Sequence, residues 1–224
     1  MASGELSIPA ASLLSGTLIA SGLALALGFL NVQMAEMLLL YAMVTTAYSL
    51  FLKRKMMVDV LTLAGLYTLR ILAGGLASET MVSSWLLAFS MFFFLSLAFA
   101  KRYTELSAAP SGGESIRGRG YSPRDLDLVR SVGPTSGYIA ALLILLYVDL
   151  SPDVSRLYRH TSVLNLLCPL ILYWVTRVWF LAQRQQLVDD PVVFALRDNI
   201  SRLTGVVGIA VLLLASSSWT WGGW

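Results

Sequence analysis

The sequence predicts an all-α protein, a polytopic transmembrane helix bundle with about seven spans. Of its 224 residues, 57% are hydrophobic and only 13% are charged, whereas soluble domains contain roughly 25% charged residues. So few charges cannot cover a water-facing surface, which excludes a soluble globular domain and a disordered chain. The single cysteine excludes a disulfide scaffold. The class that remains is a membrane protein.

Seven long apolar stretches justify the number of spans. A helix needs about 20 mainly apolar residues to cross a bilayer, while the strands of an outer-membrane barrel are about ten residues long and alternate in polarity. The stretches here are continuous and rich in leucine and alanine, which favours helices. Nothing in the sequence separates two domains, so residues 1–224 are interpreted as a single transmembrane domain. The stretches cover approximately 11–30, 34–52, 57–76, 81–100, 133–149, 163–182 and 203–219.

The lysines and arginines outside the spans favour one orientation, because cytoplasmic loops carry an excess of these residues. With the N-terminus in the cytoplasm, twelve of them fall on the cytoplasmic side and only Arg156 and Arg159 on the other. We therefore predict an integral protein of the inner (cytoplasmic) membrane with a cytoplasmic N-terminus. The net charge of +3 does not indicate nucleic-acid binding, because the basic residues follow the ends of the spans.

The second span ends in a tyrosine and a pair of basic residues: Tyr48, Lys53 and Arg54. One interpretation is structural: a tyrosine at the membrane interface followed by a basic stop. The other is functional: the basic residues form the positively charged entrance of a cavity and bind an anionic headgroup. Lysine would supply a point charge and arginine a fork of hydrogen-bond donors. The local sequence leaves both interpretations open.

Asp59 and Arg70 belong to the third span and are expected to share a face. They are eleven residues apart, close to three helical turns and about 16 Å along the axis. Asp59 lies near the interface, whereas Arg70 lies inside the hydrocarbon, where a charge costs at least ~2.5 kcal/mol. Arg70 should therefore face a watery cavity, or, in the structural interpretation, an acidic partner or the interface.

Another polar group follows the fourth span, where Lys101, Arg102 and Glu105 occur within five residues. Lys101 and Glu105 are at positions i and i+4, which places them on the same helix face. In the structural interpretation they are a surface pair after a basic stop. In the functional one, a carboxylate beside two cations at the mouth of the same cavity holds Mg²⁺ and a phosphate together. The sequence has no cysteine and histidine pattern for zinc or haem.

A short helix is predicted near the end of the chain. Asp190 has the character of an N-cap residue and Pro191 of a first helical residue. The apolar residues that follow would share one face of a helix on the membrane surface. They are Val192, Val193, Leu196 and Ile200.

These polar and glycine-containing segments together resemble the UbiA-type prenyltransferase superfamily, and within it the decaprenyl-phosphate phosphoribosyltransferase-like branch. The most specific parts are residues 59–75 and 101–106. The segment 190–198 also resembles this branch, including members that carry an additional haloacid-dehalogenase-like domain. The resemblance extends over nearly the whole chain.

The resemblance implies a bundle of nine helices around a cavity that opens to the cytoplasm. A polyprenyl lipid, in one version a polyprenyl phosphate, would enter from the bilayer, and Mg²⁺ would help to hold a diphosphate-bearing small molecule. Glu105 would be the metal ligand on this chain. The resemblance implies catalytic roles for Asp59, Lys101 and Glu105, and substrate binding by Tyr48, Lys53, Arg54, Arg70 and Arg102.

One departure from the family pattern concerns the start of the sequence. The family carries an Asn-Asp-x-x-Asp-x-x-x-Asp motif on its second helix, and residues 1–6 resemble the end of a stretch that follows this motif. We therefore expect the first two helices and the first acidic motif to be missing, because of a truncated gene or a misplaced start. Nine helices minus two gives the seven spans counted here. A missing N-terminal segment or a fused domain would then be a further partner, and the activity of the chain alone is open.

Two classes of function remain. The first is a transferase, for which the many basic residues favour phosphoribosyl transfer from a diphosphate donor to a polyprenyl phosphate over prenylation of an aromatic acceptor. The second is a non-catalytic membrane subunit that binds a lipid phosphate. A transporter would show broken helices in matched halves, and no such pairing is evident in the sequence.

Overall fold

The computed structural model describes residues 7–108, 120–187 and 190–217. Within these ranges the chain forms ten α-helices, two short 3₁₀ turns (Leu52–Arg54 and Pro123–Asp125) and no strand. The all-α prediction is confirmed. The helices are α1 (Ile8–Phe29), α2 (Val32–Leu50), α3 (Val58–Ala77), α4 (Ser84–Ser107), α5 (Leu126–Leu150), α6 (Pro152–Leu157), α7 (Thr161–Leu164), α8 (Leu167–Gln183), α9 (Pro191–Arg197) and α10 (Asn199–Ser216).

Six helical segments of the described chain are long and apolar enough to cross a membrane, one fewer than the sequence predicts. The difference is α2, which forms a helix of 19 residues but contains Gln33 and Glu36 and is therefore less apolar. The polytopic helical bundle is confirmed, and the number of qualifying spans is corrected to six. These are Pro9–Phe29, Val58–Ala77, Ser84–Ser107, Pro123–Leu150, Thr161–Gln183 and Asn199–Ser216.

Two helices extend well beyond their apolar stretches. The fourth apolar stretch ends near residue 100, but α4 continues to Ser107, and α5 begins at Leu126, seven residues before the fifth stretch. A helix outside the hydrocarbon no longer needs apolar side chains, so hydropathy alone underestimates its length. The extension of α4 places Lys101, Arg102 and Glu105 on a rigid helix rather than on a loop.

The short helix near the end of the chain begins as predicted but ends earlier. The side chain of Asp190 accepts a hydrogen bond from Val192 N–H at 3.1 Å, with Pro191 in the first turn. The helix stops at Arg197, because Asp198 caps α10 through a 2.7 Å bond from Ser201 N–H. The predicted apolar face is therefore divided: Val192 packs against the core, whereas Val193, Leu196 and Ile200 are exposed.

The core of the bundle is centred on α4, which packs against α3, α5 and α8. Phe99 of α4 and Val178 of α8 are fully or almost fully buried, and the buried Trp179 Nε1 donates to Ser96 Oγ at 3.0 Å. Gly133 of α5 faces the Trp179 ring. Small residues at such positions let membrane helices approach closely.

Helices α2 and α3 run antiparallel and are joined by polar contacts along their length. Asn31 Nδ2 at the start of α2 donates to the Leu76 carbonyl near the end of α3 at 3.4 Å. At the other end, Tyr48 Oη donates to Asp59 Oδ1 at 2.8 Å. The less apolar α2 is therefore part of the bundle.

The packing of α5 against α8 predicts a large effect of Gly133→Ala. A Cβ at Gly133 would overlap the Trp179 ring, which is fixed by its bond to Ser96. Overpacking of this kind costs about 1–3 kcal/mol. The free energy of unfolding in detergent, followed by far-UV circular dichroism, should fall by that amount.

Gly205→Ala in α10 is the matched control, because nothing lies within 4 Å of a Cβ built at Gly205. Alanine is the better helix former, so this variant should be at least as stable as the natural protein. Equal stability of the two variants would contradict the close contact of α5 and α8.

Candidate functional site

Charged and polar side chains from separate helices meet where α2 ends and α3 begins. We call this group the ionic cluster. It contains the end of α2, the first turn of α3, the last turns of α4 and the N-cap of α9. Its members are Tyr48, Asp59, Lys101, Arg102, Glu105 and Asp190.

A buried ion pair between Asp59 and Arg102 lies at the centre of the cluster. Arg102 Nε is 2.5 Å from Asp59 Oδ2, and both side chains are 0% exposed. Tyr48 donates its hydroxyl hydrogen to the other carboxylate oxygen. Removing two charges from water is costly, and the loss of either partner would leave the other buried and uncompensated. Asp59 therefore holds Arg102 in place; a catalytic role for Asp59 stays a prediction.

Two further ion pairs surround this centre. Arg102 Nη1 contacts Glu105 Oε2 one turn along α4, and the Glu105 side chain is 30% exposed. Lys101 Nζ is 2.5 Å from Asp190 Oδ2, across 89 positions of sequence. Lys101 and Glu105 share a helix face by spacing, but their contacts here are with Asp190 and Arg102. Glu105 brings a partly exposed carboxylate to the edge of the cluster.

The two basic residues predicted to bind substrate lie on the turn between α2 and α3. Lys53 and Arg54 belong to the 3₁₀ turn Leu52–Arg54, and the Arg54 side chain is exposed. Tyr121 contacts the chain just after this turn. Its buried hydroxyl accepts a hydrogen bond from Met57 N–H at 3.0 Å. Met57 has a φ of 66°, which L-residues rarely adopt. The contact with Tyr121 stabilises this strained start of α3.

Arg70 lies apart from the ionic cluster. As the spacing predicts, Asp59 and Arg70 both reach a tyrosine of α2. Arg70 Nε and Nη2 donate to Tyr41 Oη at 3.0 and 2.6 Å, and the guanidinium lies 4.9 Å from the centre of the Tyr67 ring. The rest of the Arg70 side chain is exposed. Substrate binding by Arg70 stays a prediction.

A separate ion pair fixes α10 near the same end of the bundle. Arg177 donates to both carboxylate oxygens of Asp198, at 2.7 and 3.0 Å. Burial raises the pKa of the Asp198 carboxyl, but hydrogen bonds from Arg177 and Ser201 outweigh it, and the net pKa lies below its ordinary value of 3.8. Asp198 therefore links α8, α9 and α10 as a carboxylate.

The predicted magnesium ligand is Glu105. Among the described residues, no three histidine, cysteine, aspartate or glutamate side chains lie close together. Magnesium often binds through one or two carboxylates together with substrate phosphates. Glu105 contacts the Arg102 guanidinium and is 30% exposed, and its role as a magnesium ligand stays a prediction.

We call the 3₁₀ turn Leu52–Arg54 the basic turn. An open apolar groove of about 640 Å³ begins beside it and runs along α3 between α2 and α4. Leu52 and Val58 line its start, Gly65 lies near its middle, and Leu69 and Met91 line the far part. From Val58 to Leu69 the groove extends about 16 Å along the helix axis. The apolar groove therefore lies next to the basic turn, an arrangement that suits a long lipid with an anionic headgroup.

Sequence reasoning found five of the six cluster residues but not their partners. Asp190 was predicted only as an N-cap, and nothing local indicates its pairing with Lys101. Tyr121 was not singled out either. The local indication of its role is the preceding residue, Gly120. Because glycine has no side chain, the chain can approach the Arg54 backbone closely there.

Comparisons with known proteins give several distant relatives, while no family model matches the chain. The uncharacterized protein y4nM of Sinorhizobium fredii is 36% identical over 216 residues, which is 96% of this chain and 42% of that protein. The nodulation protein NoeC of Azorhizobium caulinodans is 32% identical, over 78% of this chain and 56% of NoeC. A decaprenyl-phosphate phosphoribosyltransferase of Mycobacterium tuberculosis is 26% identical, over 82% of this chain and 58% of the enzyme.

The chain spans about half the length of these curated relatives. Its similarity to NoeC and to the phosphoribosyltransferase supports a membrane prenyltransferase-like transferase family, without indicating a specific substrate.

The buried ion pair predicts that Asp59→Asn lowers stability. The change leaves the Arg102 charge without its nearest carboxylate, and breaking a buried pair costs about 3–5 kcal/mol. The free energy of unfolding in detergent should fall by roughly 3 kcal/mol, since Glu105 still contacts Arg102. The exposed Asp127→Asn is the control and should stay within about 0.5 kcal/mol of the natural protein. A loss no larger than the control's would contradict the pair.

The lowered pKa of Asp198 predicts a pH-dependent contribution to stability. A carboxyl whose pKa is lowered by folding stabilises the protein fully above its unfolded value, and this contribution disappears as the pH falls through the folded value. The natural protein should therefore exceed Asp198→Asn in stability at pH 7, and the difference should shrink below about pH 4. Unfolding midpoints measured between pH 7 and pH 3 test this; a constant difference would show that Asp198 does not titrate in this way.

Proposed function

We propose that the chain is an integral membrane transferase of the UbiA prenyltransferase type, acting on a polyprenyl phosphate and a phosphoribosyl diphosphate donor. The observation that carries this proposal is the convergence of Tyr48, Asp59, Arg102 and Glu105 from three helices at one end of the bundle, beside the basic turn. The similarity to a decaprenyl-phosphate phosphoribosyltransferase supports the transferase family, and the two substrates are part of the proposal.

The apolar groove supports the lipid part of the proposal. A polyprenyl chain in the groove would have its phosphate near Leu52 and Val58, where the groove begins. Lys53 and Arg54 follow Leu52 directly, so their cations would meet the phosphate. Arginine donors in a fixed fork suit phosphate oxygens, and lysine supplies a compact charge.

In the proposed reaction, an oxygen of the polyprenyl phosphate attacks the anomeric carbon of the ribose ring. A new carbon–oxygen bond forms there, and the bond from that carbon to the diphosphate breaks. The diphosphate leaves with the bonding electrons. Cations are required where this negative charge develops, and each well-placed donor is worth roughly 10²–10³ in rate.

The residues of the ionic cluster and of the basic turn would act at different distances from the substrate. Lys53, Arg54 and Lys101 have side chains that reach the surface, so they would contact phosphate oxygens. Asp59 and Tyr48 would act as positioning residues, because they hold the buried Arg102. No step is assigned to magnesium, whose binding by Glu105 stays a prediction.

We also propose that this end of the bundle faces the cytoplasm. Lys53, Arg54 and Lys101 lie at this end, and the extension of α4 leads into it. Basic residues next to membrane spans favour the cytoplasmic side. A phosphoribosyl diphosphate donor is polar and would then reach the site from the cytoplasm.

A second candidate is a subunit that binds a lipid phosphate without transferring it. One observation favours this alternative: the carboxylates of Asp59 and Glu105 both contact Arg102. Such a protein would use the same groove and basic turn. The two candidates differ in whether a labelled ribose appears on the lipid.

An activity measurement on membranes tests the proposal. Membranes containing the full chain are incubated with radiolabelled phosphoribosyl diphosphate and decaprenyl phosphate, and labelled lipid is separated by thin-layer chromatography. We expect a labelled polyprenyl product. The Lys53→Ala and Arg54→Ala double variant should lower its rate by roughly 10²-fold, because two phosphate-binding cations are lost.

Arg184→Ala is the matched control. Arg184 is an exposed arginine that caps the end of α8. Helix α8 packs mainly against α4, α5 and α10 rather than against the basic turn, so the loss of Arg184 should leave the rate unchanged. Decaprenyl phosphate that binds and stays unlabelled would favour the binding subunit. Neither binding nor product would contradict both candidates.

A further inference from the structure

A large chamber lies inside the bundle at the end opposite to the ionic cluster. Its volume is about 1010 Å³, and α3, α4, α5, α8 and α10 all contribute to its wall. Trp85, Phe89, Ile144, Ile171 and Leu212 are among the apolar residues that line it. Ligand sites in proteins typically measure about 300–1,000 Å³ and are lined mainly by such side chains.

The chamber is separate from the proposed transferase site. Along α4, Trp85 of the chamber and Arg102 of the ionic cluster are 17 positions apart, which corresponds to about 25 Å along the axis. The residues that line the chamber do not include any that line the apolar groove beside the basic turn. A ligand in the chamber would therefore not compete directly with a substrate.

A chamber of this size in a membrane protein requires an apolar occupant. Protein interiors are close-packed and contain few voids larger than a water molecule. Cavities lined by apolar side chains stay dry, because water finds too few polar partners there. The surrounding bilayer supplies hydrocarbon chains, which match the lining in polarity and are flexible enough to fill an irregular space.

The mouth of the chamber carries groups that suit a phosphate. Asp153 and Arg156 of α6 and the tyrosines Tyr147 and Tyr158 line it on one side. Arg156 and Asp153 form a long, exposed ion pair, with 3.9 Å between Arg156 Nη1 and Asp153 Oδ1, and the Arg156 side chain is 79% exposed. A guanidinium has five N–H donors, so the remaining donors of Arg156 can reach phosphate oxygens, which arginine binds in a fixed fork geometry.

We propose that a membrane phospholipid from the leaflet at this end occupies the chamber. One acyl chain lies among the apolar residues of α4, α5 and α10, and the phosphate is bound at the mouth by Arg156. The lipid fills the space that the described side chains leave open between these helices. This assignment does not depend on the transferase activity.

Native mass spectrometry of the delipidated full chain in detergent, titrated with dioleoylphosphatidylglycerol, tests the proposal. We expect one tightly bound phospholipid on the natural protein. Leu212→Trp places a larger side chain in the chamber and should weaken binding at least tenfold. Leu213→Trp is the matched control: Leu213 is 64% exposed and does not line the chamber, so binding should be unchanged.

The phosphate contact is tested with a second pair of variants. Arg156→Gln should weaken binding of dioleoylphosphatidylglycerol several-fold and leave binding of dioleoylglycerol, which lacks the phosphate, unaffected. Arg159→Gln is the control, because the exposed Arg159 does not line the chamber. Inorganic phosphate at the same concentration should not displace the lipid; displacement would mean that the mouth binds free phosphate and would overturn the proposal.

A measurement on the natural side chains guards against a variant that fails to fold. In vesicles of phosphatidylglycerol with brominated acyl chains, the fluorescence of Trp85 in the chamber should be quenched. The quenching is obtained as the difference between the natural protein and Trp85→Phe. Absence of Trp85 quenching, or equal lipid binding by all four variants, would overturn the proposal.

Discussion

The buried ion pair between Asp59 and Arg102 is the constraint on which the polar end of the bundle depends. Both side chains are completely buried in a protein that is otherwise apolar, and each would be strongly unfavourable without the other. The pair therefore fixes the start of α3 against the last turns of α4. Because Tyr48 donates to the same carboxylate, the end of α2 is fixed as well, and three helix ends acquire one relative position.

The charges around this pair determine where a phosphate can bind. Among the described residues, the ionic cluster combines three carboxylates (Asp59, Glu105 and Asp190) with two cations, and every one of these charges has an opposite partner. With three negative and two positive charges, the cluster has a net charge of −1, so it is a scaffold rather than a strong anion-binding site. Further positive charges at this end include Lys53 and Arg54 on the turn before α3. The Tyr121 hydroxyl accepts a hydrogen bond from Met57 N–H, just after this turn.

The sequence predicted the helices and most of the cluster because charges are rare in this chain. In a bundle with 13% charged residues, a charge near the end of an apolar stretch marks either an interface or a site, so Asp59, Arg102 and Glu105 could be found by position alone. The partners could not. Helix spacing predicted that Asp59 and Arg70 share a face of α3. The partner of Arg70 is the hydroxyl of Tyr41 rather than the expected acidic side chain or watery cavity. The contact of Lys101 with Asp190 spans 89 positions and arises only from tertiary packing.

Hydropathy likewise could not show that α4 continues to Ser107, because a helix beyond the hydrocarbon is held by its own hydrogen bonds and by its neighbours.

The two ends of the bundle solve the same packing problem in different ways. Near the ionic cluster, aromatic side chains such as Phe99 and Trp179 fill the space between α4, α5 and α8, and Gly133 allows the helices to meet. At the opposite end the same helices line the chamber, which the side chains of the described residues leave open. One bundle can combine a closely packed, charged end with an end that accepts lipid hydrocarbon. In the chamber an acyl chain from the membrane takes the place of packed side chains, and it adds no charge that needs a partner. The polar chemistry can therefore stay confined to the end where Asp59 and Arg102 fix the geometry.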